Sequence, residues 1–214
     1  MNFLDYLGSR WDNILEDGIA HAQVVLAALL IATIIGVGVG ILTYRRPIAA
    51  QISVAVAATI LTIPSFALFA IMIPFLGLGF TPTMIALTAY AILAILQNTI
   101  VGLRSVDPAI AESALGMGYN KWQRLYKIEL PMAWPVIIAG LRVSALLLLG
   151  IAAIAAYVNG PGLGGDIFNG LSRIGGANSV NSVLGGILGI VILALIFEAA
   201  FALLSKLTIS KGLN

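Results

Sequence analysis

Arg104 to Pro131 reads RSVDPAIAESALGMGYNKWQRLYKIELP, a polar interval carrying four cations between two long apolar runs. Asp107 followed by Pro108 marks a helix start: the carboxylate can accept from free amide N–H groups, and proline fits the first helical position, where no N–H is needed. Ala109 to Leu115 favour a short helix that Gly116 and Gly118 can end or turn. A second helix is predicted from about Lys121 to Ile128, carrying Trp122, Leu125 and Tyr126 among Lys121, Arg124 and Lys127. Two short amphipathic helices joined through glycine suit an element that docks on another protein. The same composition fits an amphipathic link lying on anionic lipid.

On both sides of this interval the chain is apolar for long stretches. Runs at about 22–42, 52–74, 82–103, 133–157 and 183–205 each reach roughly the 20 residues that a helix needs to cross the hydrocarbon core. The 214-residue chain is 60% hydrophobic and 9% charged, with a mean hydropathy of +1.06. An ordinary soluble domain carries about 25% charge, so an all-α integral membrane protein with five spans is expected. The runs are too long and continuous for the roughly ten-residue alternating strands of a membrane barrel. Eleven Lys and Arg against nine Asp and Glu leave a net charge of +2, and no basic stripe exists to neutralise a row of phosphates. With no cysteine and the single His21, disulfide scaffolds, iron–sulfur clusters, thiol catalysis and a histidine zinc site are excluded. No GxxxxGK phosphate loop occurs, so ATP chemistry would have to sit on another chain.

Lys and Arg near span ends set orientation. Arg45 and Arg46, then Arg104, Lys121, Arg124 and Lys127, then Lys206 and Lys211 fall on one side, and only Arg10 and Arg173 on the other. This bias predicts the N-terminus outside, the 104–130 loop inside and a cytoplasmic tail at 208–214. Residues 1–20 hold Asp5, Asp12, Glu16 and Asp17 against Arg10 alone, which is unlike a cleaved secretory signal. Phe3, Leu4, Tyr6, Leu7, Trp11, Ile14 and Leu15 recur at helical spacing, as in an external helix lying along the interface; a loosely ordered extension is the alternative.

Pro64 falls near the middle of the second run, before Ser65, and must kink that helix and release a carbonyl. A packing kink and a segment of a solute path are both compatible with it. Glycines at 36, 38 and 40, and at 185, 186 and 189, permit close helix approach. Arg142 and Glu198 fall at similar depth and are candidates for an intramembrane pair, against snorkelling, partner contacts or contact with an ion or solute. Phe66, Phe69, Tyr90 and Tyr157 are scattered candidates for holding a cation on aromatic faces, and no pocket is assigned to them.

Glu112-Ser113-Ala114, three residues, Gly118, nine residues, then Ile128-Glu129-Leu130-Pro131 resembles the cytoplasmic-loop signature of permeases from binding-protein-dependent ATP-binding-cassette importers. Ser113 stands where alanine is usual. Asn98, Thr99, Gly102, Leu103, Val106, Asp107 and Pro108, with Ile63-Pro64-Ser65 and Gly77-Leu78-Gly79, resemble the branch for glycine betaine, carnitine and choline, with Gln97 where that branch often has arginine. The resemblance runs from about Ala20 to Lys206. It implies the five-helix core of the type I importer permease (MetI-like) fold in a bacterial or archaeal cytoplasmic membrane. It also implies a second permease chain, two cytoplasmic ATPases that use ATP and Mg, and an extracytoplasmic solute-binding protein.

In that arrangement Asp107 to Gly118 forms the coupling helix in a groove of the ATPase. Glu112, Ala114 and Gly118 serve docking and turning, and Ile128, Leu130 and Pro131 set entry into the fourth span. No catalytic residue, cofactor or metal is expected on this chain. The function implied is an osmoprotectant permease. The same machine moving another small solute such as an amino acid, a secondary transporter or channel subunit, and a purely structural membrane protein are the alternatives.

Overall fold

Regular structure over residues 1–208, those described in this computed structural model, is helical throughout. The expected tail falls outside them from residue 209 on, Lys211 included. The first helix, α1, runs Phe3–Thr43 without a break. The expected separate N-terminal piece is therefore fused to the first span. No proline interrupts residues 3–43, and Asn2 Oδ1 caps the start by accepting from Asp5 N at 2.8 Å. At 1.5 Å per residue the helix is about 60 Å long, twice the hydrocarbon thickness of about 30 Å. Its N-terminal part is held by tertiary contacts: Tyr6 is buried, Arg10 lies 3.6 Å from Asp166, and Gly185 sits opposite Tyr6, Leu7 and Ile14.

Pro64 does more than kink the second apolar run. Helices α2 (Pro47–Thr62) and α3 (Ser65–Leu76) meet there at 92°. Ile63 before the proline is extended, as that position requires, and its carbonyl accepts the Tyr90 hydroxyl at 2.7 Å. A side chain from another helix thus takes up the polar group that lipid could not satisfy, and a break becomes tolerable.

Helix α4 (Phe80–Arg104) forms the centre of the core, between α1 and α7 (Leu130–Ile154). Leu87, Ile95 and Leu96 on α4, Val25 and Ala28 on α1, and Ile137, Leu148 and Leu149 on α7 are fully or almost fully buried. The α1–α4 approach uses the spacing of Gly36 and Gly40: a Cβ on Gly40 would stand 2.6 Å from Thr99 Cγ2. That small-residue pattern is used inside the chain. Segment 158–182, between the fourth and fifth apolar runs, contains α8 (Gly164–Ser172), which packs on the start of α9 (Ser179–Thr208).

Among the described residues α1, α4, the α7 helix with its preceding turns and α9 are each long and apolar enough to cross a membrane. The bent α2–α3 pair makes a fifth if counted as one span. The most apolar window of α9 is only 6% buried, against 50% for α4. Exposed Val191, Leu195 and Ile196 give α9 an outward apolar surface that only lipid or another apolar chain can cover favourably.

Candidate functional site: the polar loop and the corner that holds it

Between α4 and α7 the chain forms α5 (Pro108–Gly116) and α6 (Lys121–Arg124). Asp107 Oδ1 accepts from Ala109 N at 2.8 Å, and Pro108 takes the first turn. At the other end Gly118 adopts φ +83°, and the N–H groups of Gly118 and Tyr119 donate to the carbonyls of Leu115 and Ala114, both at 3.0 Å. This pair of bonds satisfies carbonyls that a helix end leaves free, in a left-handed geometry that favours glycine. Asn120 and Gln123 then cap each other reciprocally to open α6. Ala114 is the buried residue of α5, while Glu112 is exposed. Ile110, Leu115, Met117, Trp122 and Tyr126 are exposed apolar groups on this otherwise polar segment, the last two with stacked rings 6.1 Å apart.

The helix expected over 121–128 does not stop there. Residues Leu125–Glu129 form a π turn, with Leu130 N–H donating to Leu125 O, and the chain runs straight into α7. Pro131 explains the wider turn: in an α-helix its ring would strike the carbonyl four residues back, at Lys127. Ile128 and Leu130 are half-buried at this entry and Pro131 is exposed.

The turn delivers Glu129 into a buried position at the α1–α2 corner. Its Oε2 accepts the Tyr44 hydroxyl at 2.6 Å, and both carboxylate oxygens accept from Arg45 Nη2 at 3.0 and 3.1 Å. Arg124 Nε lies 3.1 Å from Oε1 as an ion contact without hydrogen-bond alignment. Arg104 Nε donates to the Tyr44 carbonyl at 2.8 Å. Both ends of the loop are therefore tied to residues 44–45. Burial first, then donation to Glu129, pushes the Tyr44 hydroxyl up to about 12. In the sequence Glu129 stands among the motif residues with no role assigned to it. A carboxylate at a span entrance, on the side that carries Arg45, Arg104 and Arg124, was the available signal.

The other candidates lie away from this corner. Arg142 on α7 and Glu198 on α9 meet: Arg142 Nε donates to Glu198 Oε2 at 2.8 Å, and a second guanidinium nitrogen faces Oε1. Their side chains are 48% and 35% exposed, so the pair sits on an outer flank of the helices. Pro64 and Ser65 lie at the α2–α3 bend. Phe66 and Tyr157, far apart in sequence, pack there with ring centroids 4.0 Å apart; Tyr90 caps the break, and Phe69 is fully buried. At the opposite end of the bundle a polar cavity of about 540 Å³ is lined by Tyr6, Arg10, Asp166, Asn169, Arg173 and Ser182 among others. Burial pushes the Asp166 carboxyl up, and Arg10 partly opposes this. Among the described residues no three His, Cys, Asp or Glu side chains group as a metal site.

Several helices long and apolar enough to cross a membrane, joined between α4 and α7 by a capped two-helix loop, define an all-α, multi-span membrane protein. The solved inward-facing MetNI methionine ABC transporter contains a chain with this fold, at a TM-score of 0.79 and 21% identity over 91% of this chain and 95% of that one. The family described as "Binding-protein-dependent transport system inner membrane component" matches residues 25–209. The chain belongs to this family, as a non-catalytic permease subunit of ABC importers. It is 40% identical over 202 residues to the carnitine transport permease protein OpuCB of Listeria monocytogenes, covering 94% of this chain and 91% of that protein. It is 34% identical over 194 residues to the glycine betaine/carnitine/choline transport system permease protein OpuCB of Bacillus subtilis (strain 168), covering 91% and 88%.

Proposed function

We propose that this chain is the translocating subunit of an ATP-driven importer for the quaternary ammonium osmoprotectants glycine betaine, carnitine and choline. Its relatives are named for these solutes, and the likeness spans nearly the whole length of both chains. The partners are a second permease chain, identical or a close paralogue, two ATPase subunits that use ATP and Mg, and an extracytoplasmic solute-binding protein. The bent α2–α3 pair counts as the second of five spans, with the N-terminus outside and the C-terminus in the cytoplasm, as the Lys and Arg bias favours.

The observation that carries the mechanism is α5, a short helix capped at both ends, in a loop whose two ends are hydrogen-bonded to residues 44–45. Residues Asp107 to Gly118 act as the coupling helix, with Glu112 exposed for the ATPase, Ala114 seating the helix and Gly118 turning the chain. Ile128, Leu130 and Pro131 direct the loop into α7. Closure of the ATPase pair then moves the membrane helices as rigid bodies between inward and outward states. Solute shifts that balance only through different affinities for the two states. Pro64 and Ser65 line the solute path at the break. Arg142 and Glu198 hold α7 and α9 together during the motion.

The test is purification of the tagged chain in mild detergent, with subunit masses recorded, followed by reconstitution with the co-purified proteins and uptake of labelled glycine betaine, carnitine and choline. Two permease chains with two ATPases, and ATP-dependent uptake of at least one of these solutes, are expected. An assembly without ATPase would refute the importer reading, and ATP-dependent uptake of amino acids alone would refute the cargo.

A further inference from the structure

The α1–α2 corner also walls a second cavity of about 310 Å³, lined by Leu42, Arg45, Arg46, Lys121 and Trp122 with apolar neighbours. Arg45 spends its charge on Glu129. Arg46 and Lys121 are both exposed and reach no carboxylate among the described residues. Two uncompensated cations thus share one small cavity whose remaining wall is largely hydrocarbon.

Its level along the helices matters as much as its charge. The apolar run of α1 ends at about residue 42 and the helix at Thr43, so Leu42, 71% exposed, is the last apolar side chain before the cations Arg45 and Arg46. Trp122, 61% exposed, sits at the same level, where an amphipathic indole is at home. A free phosphate would satisfy the cations but leave the Leu42 side wet. A zwitterionic lipid brings its own cation and gains less. An anionic phospholipid meets both halves of the site.

We propose that this cavity binds the headgroup of an anionic phospholipid, with its phosphate between Arg46 and Lys121 and the start of an acyl chain on Leu42. Arg46 belongs to the corner and Lys121 to the polar loop, so the lipid is a second tie between them, beside Glu129.

The full-length chain with Trp122 as its only tryptophan (Trp11→Phe, Trp134→Phe) is titrated in uncharged detergent with chain-brominated phosphatidylglycerol or phosphatidylcholine, whose bromines quench nearby tryptophan. Phosphatidylglycerol is expected to quench at roughly 30-fold lower mole fraction, from two cations near the membrane surface. Arg46→Gln with Lys121→Gln should abolish the preference, and Arg46→Lys with Lys121→Arg should keep it. In native mass spectra of the otherwise unaltered protein, the same double Gln change should remove one retained phosphatidylglycerol per chain. Equal quenching by the two lipids, or an unchanged retained-lipid count, overturns the proposal. Relief of quenching by millimolar inorganic phosphate reassigns the cavity to free phosphate. Loss of the preference once the ATPase is bound reassigns it to that subunit.

Discussion

Replacing Glu129 by glutamine tests the corner most directly. The amide keeps the volume and can still accept from Tyr44, but it removes the negative charge that faces Arg45 and Arg124. A hydrogen bond to a charged group contributes about 1.5–3 kcal/mol. Arg45 is 38% exposed, so water recovers much of its loss, whereas Arg124 is 14% exposed and keeps an uncompensated charge. The net cost is about 2 kcal/mol. For a chain of this size about 1 kcal/mol shifts the melting temperature by ~2–4 °C, so Glu129→Gln should lower it by ~4–8 °C. Tyr44→Phe removes one donor to a charge and should cost about 1–2 kcal/mol. Because the two groups touch, the double variant should lose less than the sum, by more than the ~0.5 kcal/mol within which distant sites add. The assay is thermal unfolding of all four proteins in one detergent, followed by far-ultraviolet circular dichroism. In reconstituted complexes, ATP hydrolysed per solute moved should also rise for Glu129→Gln, because the loop is less firmly tied to the helices it moves. An unchanged melting temperature, or strict additivity, would refute the account of a coupled buried carboxylate.

Gly118→Val places a branched residue at φ +83°, where side chains cost about 1–2 kcal/mol; ATPase co-purification should fall while membrane insertion is unchanged, and equal loss of both would show a general folding defect. Arg142→Glu combined with Glu198→Arg should restore assembly lost in either single neutralisation, and a swap as damaged as the singles would remove the case for a structural pair. Asp166 holds its proton more tightly when folded than the ordinary value of 3.8 implies. The folded state then binds more protons just above that value, so stability falls as pH rises from 3.8 through the folded value; Asp166→Asn should flatten this slope in melting curves taken across that window, and an unchanged slope would show that Asp166 does not set it. Tyr90→Phe leaves the Ile63 carbonyl at the Pro64 break without its donor and should cost about 1–3 kcal/mol in thermal unfolding; no loss would mean that the break satisfies itself locally.

What could be read from the chain alone was what neighbouring residues decide. Asp107-Pro108 and Gly118 mark the ends of α5 through local hydrogen bonds and allowed dihedrals, and the presence of long apolar helices follows from continuous hydropathy. The fracture at Pro64 depended on Tyr90, 27 residues from the carbonyl it caps, and no local pattern distinguishes that from a packing kink. The N-terminal segment read as separate because its composition is polar, yet nothing in its backbone breaks a helix, and contacts with α8 and α9 order it. Helix α8 was hidden by its glycines. Glu129 was passed over because its partners at Tyr44 and Arg45 are 85 and 84 residues away.

The placement of that corner bears on how force would travel. Tyr44 and Arg45 follow the end of α1, Pro47 begins α2, and Arg104 and Glu129 bracket the loop, so one cluster of polar contacts joins α1, α2, α4 and α7 at a single level. If α5 is the coupling helix proposed above, a push on it would reach four helices at their ends, where a small displacement moves a long lever. In α2 that lever runs from Pro47 to the break at Pro64, roughly 25 Å at 1.5 Å per residue. At the break the continuous ladder of backbone hydrogen bonds is lost, and α3 is held to its neighbours instead by the Tyr90 bond, the packing of Phe69 and the Phe66–Tyr157 contact. Discontinuity within the second apolar run and a tied corner at its start are complementary: a continuous helix would drag α3 along with α2, and a loose corner would dissipate the push before it reached Pro64.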